Sequence, residues 1–97
     1  MLEEHDYYII LYDYYGTLLT DKQQKYFEDY YFYNLSLSEI SDNYNISRNA
    51  IHKSIKETKE LLDYYEEKLK LLEKSKNITE LIKDLDVELQ LKIKKWI

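Results

Sequence analysis

Apolar side chains recur along this chain at intervals of three and four, the period of helices that bury one face. In "DYYIILYDYYG", Tyr8, Leu11, Tyr12 and Tyr15 share a side, which predicts a first helix over about residues 5 to 15. Gly16 follows, where a left-handed helix end costs least. Thr20 and Gln23 have the form of a capping box, in which the hydroxyl accepts the third helical N–H and the glutamine reaches back. The helix they open runs from Asp21 to about Tyr33, with Tyr26, Phe27, Tyr30 and Tyr31 inward. Phe32 falls on the side of Lys25, Glu28 and Asp29, so it either touches a neighbouring helix or belongs to a partner surface, the former being the commoner case. The tyrosine excess reads as core with hydroxyls at its rim rather than as a platform for stacked bases. Ser36 and Glu39 form a second capping box and open a third helix through about Asn43.

Ser47 can cap a fourth helix that meets no glycine or proline before about Lys74. At 1.5 Å per residue such a helix is ~40 Å long. Ile51, Ile55, Thr58, Leu62, Tyr65, Leu69 and Leu72 follow a 4,3,4,3 spacing, the seam of a helical pair, and Leu61, Tyr64 and Leu71 widen it. Asn77 and Glu80 mark a fresh start for a C-terminal helix carrying Ile78, Ile82, Leu85, Leu89, Ile93 and Trp96. The two stripes can close as a hairpin or join two copies of the chain.

The junction in "SLSEISDNYNISRNAIHKSIK" carries the clearest chemistry. A helix-turn-helix needs a small residue where the helices cross, a residue tolerant of positive φ at the turn, and an apolar residue straight after it. Ser41, Asn45 and Ile46 supply these in order, and Leu37, Ile40, Tyr44, Ile51 and Ile55 provide the apolar lock. The fold class is therefore all-α: a helix-turn-helix three-helix core, a long fourth helix and a C-terminal helix. Opposite Ile51 and Ile55, the outward face of the fourth helix, capped by Ser47, carries Arg48, Asn49, His52, Lys53 and Lys56. Arginine and lysine reach guanine or phosphate, asparagine pairs with adenine, and a helix start offers N–H groups to phosphate. These six residues are the candidate DNA-binding site. Against that stands the plain alternative of a solvated face on a packing helix.

Composition narrows the rest. The chain has 97 residues, 44% of them apolar, with no proline, one glycine and no cysteine. Those numbers suit a single domain over residues 1–97, with a core at about 5–60 and a helical extension at about 61–97. The start carries Glu3, Glu4 and Asp6 rather than a basic leader, and no window is apolar for long enough to span a bilayer. A cytoplasmic protein with no membrane contact is expected. His5 and His52 are the two histidines, and neither has a second ligand at metal spacing. Without a Gly-rich phosphate loop or a nucleophile motif, no enzyme, metal, cofactor or small-molecule substrate is expected. The net charge of −5 argues against indiscriminate coating of nucleic acid, yet Ser47 to Lys56 holds three cations and no acid, and Arg48 is the one arginine of the chain. Three phosphate contacts give a salt slope of only about −2.7, so DNA binding calls for a homodimer whose two helices lie ~34 Å apart.

The segments "LYDYYGTLLTDKQQKYFEDYYFYNLSLSEIS" and "ISRNAIHKSIKETKELLDYYEEKL", about residues 11 to 69, resemble the YlxM family of small bacterial helix-turn-helix proteins. The resemblance implies a domain like the final DNA-binding domain of sigma factors and a regulatory or accessory role linked to the signal recognition particle, whose genes tend to be neighbours. Ser47 and Arg48 match the family's "SR", and Ile55 and Lys56 its "IK". His52 and Lys53 stand where the family tends to have an aromatic and an acid, and Glu57 where a base is frequent. The alternative function is an adaptor that does not bind DNA and holds protein or RNA of the particle instead.

Overall fold

Chemistry at the helix ends sets the path of the chain. The computed structural model describes residues 3–97 and contains α1 (Glu4–Tyr15), a 3-10 turn (Gly16–Leu18), α2 (Asp21–Tyr31), α3 (Leu37–Tyr44), α4 (Arg48–Leu69), α5 (Leu71–Leu81) and α6 (Val87–Lys94). No strand occurs among the described residues, so the fold is all-α. Both capping boxes form. Thr20 Oγ1 accepts from the Gln23 amide at 3.2 Å while Gln23 Oε1 accepts from the Thr20 amide at 2.9 Å. Ser36 and Glu39 do the same at 3.1 and 2.9 Å, and the Ser36 amide holds the Glu39 carboxyl below the usual carboxylate range. Each cap is worth about 1 kcal/mol.

Two expectations at helix ends change. Gly16 is right-handed, with φ −55°, so it is no left-handed cap. What it supplies is space, because a Cβ there would stand 3.1 Å from the ring of Tyr12. The second helix stops at Tyr31, short of Tyr33, because Asn34 turns left-handed at φ 56° and the Leu35 amide closes onto the Asp29 carbonyl at 3.0 Å. Tyr26, Phe27 and Tyr31 make its buried face, whereas Tyr30 is partly exposed.

The core forms around α4, against which α1, α2 and α3 all pack. Ile51, Ile55, Thr58 and Leu62 point inward from it and are buried, as are Leu11 and Tyr15 of α1, Tyr26, Phe27 and Tyr31 of α2, and Ile40 of α3. Each large side chain buried in this way contributes roughly 1.5–3 kcal/mol. Phe27 stacks on Tyr12 and on Tyr31, each at 4.4 Å between centroids. The tyrosine hydroxyls lie at the rim, as expected. Tyr8 donates to Asp63 at 2.7 Å, Tyr15 to Glu66 at 2.5 Å, Tyr44 to Asp29 at 2.9 Å, and Tyr12 to Glu28. Because the partners of Tyr8 and Tyr15 advance together along α4, the two helices run parallel.

The fourth helix does not reach Lys74. It ends at Leu69, Lys70 turns left-handed at φ 56°, and α5 starts at once. The cause is a carboxylate inside α4: Glu66 accepts from the amides of Leu72 and Glu73, each at 3.1 Å, and from the Tyr15 hydroxyl. The Tyr15 oxygen in turn accepts from the Leu71 amide at 3.0 Å. Three amides that would otherwise stand unpaired at a helix start are satisfied together, which makes the break affordable to a lysine. Helix α5 then passes straight through Asn77 and Glu80, where a new start was expected. That start lies at Asp86, whose Oδ1 accepts from the Leu89 amide at 3.0 Å. The tail is thus two short helices rather than one. They do not close a hairpin over α4, since the seam from Ile51 to Leu62 is already covered by α1 to α3, and Leu69 beyond it stays exposed. Leu72 joins the core, α5 lies against α1, and α6 buries none of its residues. No helix among the described residues is long and apolar enough to cross a membrane.

Two outcomes test this account of the fold. Replacing Glu66 with alanine removes the cap of α5 and the partner of Tyr15, and should cost about 1–3 kcal/mol in a urea melt, with new tryptic cleavage at Lys68 or Lys70. A full-stability result would show that the break has another cause. The second concerns alkali. Burial and then the bond to Glu66 push the Tyr15 hydroxyl up to about 12, and burial followed by a carboxylate partner raises Tyr8, Tyr12 and Tyr44 as well. The folded chain keeps these protons where the unfolded chain, with phenols near ~10, has lost them; stability is therefore full below about pH 10 and falls as pH rises through about 12. Thermal melts across that window should show a declining Tm, with a shallower decline in Tyr15→Phe.

Candidate nucleic-acid interface

Helix α3 ends on Asn45, left-handed at φ 54° and ψ 46°, the position that tolerates asparagine at small cost. The Ile46 amide closes onto the Ser41 carbonyl at 3.1 Å, and the Ser41 hydroxyl donates to the Ile46 carbonyl. A small side chain is therefore needed at Ser41 both for the crossing and for this bond. Ile46 lies half-buried against the core, and Tyr44 meets the edge of Tyr26 at 5.0 Å while its hydroxyl holds Asp29. Backbone, side-chain and aromatic contacts thus fix the angle at which α4 leaves the turn.

Ser47 begins that departure, its Oγ accepting from the Ala50 amide at 3.1 Å. Its own hydroxyl hydrogen remains available as a donor. Arg48, Asn49, His52, Lys53 and Lys56 are all exposed, on the side of α4 away from Ile51, Ile55, Thr58 and Leu62. At 100° per residue they cover ~140° of the helix circumference, a width that one groove of a nucleic acid can face. Their positive charge adds to the positive end of the helix dipole. Lys53 Nζ is 3.9 Å from Glu57, an exposed pair worth at most about 0.5 kcal/mol, so the lysine is readily released.

Beside this face lies a groove of about 410 Å³ that the sequence did not point to. His52 and Lys56 form its outer edge, and His5, Tyr31 and Lys59 line it from inside. Lys59 could have been read as the next outward base after Lys56, but its partner Glu4 is 55 positions away and gives no local signal. On the other side of α1, Ile9, Ile10, Tyr12, Glu28 and Phe32 border a larger groove of about 630 Å³. Phe32 makes the expected contact with a neighbouring helix, edge-on to Tyr12 at 5.6 Å, and is still 44% exposed. No cluster of three potential metal ligands occurs among the described residues.

Comparison with known proteins agrees with this geometry. A family profile described as "Putative helix-turn-helix protein, YlxM / p13 like" matches residues 2–96. A UPF0122 protein of Desulforamulus reducens is 47% identical over 81 residues, 79% of this chain and 69% of the relative. One from Malacoplasma penetrans is 57% identical over 63 residues, 65% of this chain and 59% of the relative. One from Shouchella clausii is 45% identical over 75 residues, 77% of this chain and 69% of the relative. The family is described by its helix-turn-helix and not by a catalytic activity. The chain belongs to the UPF0122 family of YlxM / p13-like helix-turn-helix proteins.

Proposed function

We propose that this chain is a cytoplasmic DNA-binding regulator that reads its target with Ser47, Arg48, Asn49, His52, Lys53 and Lys56. One observation carries the reading: a locked left-handed corner at Asn45 sets a helix whose inner stripe is buried and whose outer face has three cations and no acid up to Lys56. A role connected with the signal recognition particle is part of this reading, as the resemblance in its sequence implies.

Binding by a homodimer answers the weakness of a single subunit, whose three cations give a salt slope of about −2.7. In this arrangement the core at about residues 5–60 presents the reading face and the extension at about 61–97 joins the copies. Leu81, Leu85, Val87, Leu89, Leu91 and Trp96 are exposed, and within α6 Leu89 lies on a different side from Val87 and Leu91, so the tail offers apolar surface to a second copy on more than one side. Asp84, Asp86 and Glu88 precede Lys92, Lys94 and Lys95, so an antiparallel pair of α6 helices sets acid against base at both ends.

A second reading, an adaptor for protein or RNA of the signal recognition particle, is favoured by the groove beside the half-exposed Phe32. The two part company on mutation. Replacing Arg48 and Lys53 with alanine should leave stability within about 0.5 kcal/mol, weaken DNA binding at least tenfold in a gel-shift titration, and flatten the salt slope by about 1.8 per subunit, about 3.6 for the dimer. Unchanged affinity, with loss of partner binding in Phe32→Ser instead, would favour the adaptor.

A further inference from the structure

The groove between the start of α1, the end of α2 and α4 concentrates base in a chain whose net charge is −5. His5, His52, Lys56 and Lys59 line it, and Glu4 is the one acid there among the described residues. On α4, Lys59 follows Lys56 by three residues and His52 by seven, so all three lie along one flank, continuous with the outward face.

Lys59 is held in place from several directions. Its Nζ lies 4.8 Å over the ring of Tyr8 and pairs with the Glu4 carboxylate, and the Tyr31 ring lines the same groove. The two partners of that ion pair are unequal, because the lysine side chain is 26% exposed and the glutamate 70%. The cation is thus fixed in the wall of the groove, while the anion stands on the first turn of α1, free to swing into solvent. The ion pair lowers the Glu4 carboxyl below its ordinary value, and although burial works against the Lys59 ammonium, its partners raise it overall. The position favours negative charge, and Glu4 is a replaceable supplier of it.

We propose that this groove is a phosphate-binding subsite, in which a phosphate takes the place that the Glu4 carboxylate holds on Lys59, flanked by Lys56, His52 and His5. Carboxylate and phosphate oxygens accept the same charge-assisted bonds: a backbone phosphodiester matches the single charge and two free oxygens of the carboxylate, and a free phosphate or pyrophosphate brings more charge and a third oxygen. Where the phosphate belongs to a nucleic-acid backbone, the proposal rests on the DNA reading above and lengthens its footprint by one contact. Glu4 then acts as an internal competitor that sharpens dependence on a well-placed backbone.

Two arms separate the sources of phosphate. In the first, the full chain is titrated with duplex DNA at several salt concentrations. Glu4→Gln, which keeps the shape and removes the charge, should tighten binding about three- to tenfold. Lys59→Gln should weaken binding and flatten the slope by about 0.9 per subunit, about 1.8 for the dimer, and the double variant should lose the gain of Glu4→Gln. In the second arm, inorganic pyrophosphate is added to isotope-labelled protein, where amide shifts should be confined to the neighbourhood of Glu4, His5, His52, Lys56 and Lys59 and vanish in Lys59→Gln. Both effects together support a backbone subsite. Pyrophosphate shifts without an effect of Glu4→Gln on DNA support the site and assign it to a free phosphate compound. DNA binding that ignores both variants, with no confined shifts, overturns the proposal. If the unaltered chain binds no DNA, the DNA reading fails separately, and the pyrophosphate arm decides: confined shifts support the subsite, shifts scattered over exposed lysines overturn it.

Discussion

The inward stripe of Ile51, Ile55, Thr58 and Leu62 is the contact on which both the fold and the proposed site depend. These four side chains are buried against residues from α1, α2 and α3, and a helix held along one stripe has no freedom to rotate. The direction of Arg48, Asn49, His52, Lys53 and Lys56 follows without any contact of their own. A rotation of one residue, ~100°, would carry His52 or Lys56 toward apolar surface at a cost of several kcal/mol for a buried charge. The corner at Asn45 contributes the other constraint by fixing where α4 begins and at what angle.

A second joint decides the far end of the same helix. Glu66 takes the amides of α5 and the hydroxyl of Tyr15, so the chain turns back toward α1 instead of continuing outward. The parallel run of α1 beside α4 brings Glu4 to Lys59, Tyr8 to Asp63 and Tyr15 to Glu66, in that order. The acidic first helix thereby serves two ends: its tyrosines brace α4 from behind, and its first turn reaches the groove beside the basic face. Charges are segregated on a small acidic molecule, which steers its other faces away from phosphate.

Local signals in the sequence predict what is built locally. Both capping boxes, the positive φ at Asn45 and the seam through Thr58 are matters of spacing within a few residues, and a polar threonine could be placed inside because its neighbours in the pattern are apolar. The misread positions are those settled by distant partners. Lys70 breaks α4 through Glu66 and through a tyrosine 56 positions from Leu71, and Gly16 is required by the ring of Tyr12 and not by its own φ. Propensity alone favours a continuous helix at Lys70, and tertiary hydrogen bonds override it. The outward face of α4 was legible for the same reason as the stripe, since one period defines both sides, whereas Lys59 and Glu4 come together only in the folded chain.

The account centres on the outward face of α4 as a surface that grips DNA through phosphates and base edges together. The most direct test is a parallel titration of the purified chain against labelled genomic DNA fragments and signal recognition particle RNA across a range of salt. The expected result is fragment-selective DNA binding whose slope of log affinity against log salt is near −5, about twice the value for one subunit. Binding to RNA alone, or to neither nucleic acid, would contradict it and leave the corner at Asn45 as a structural bend.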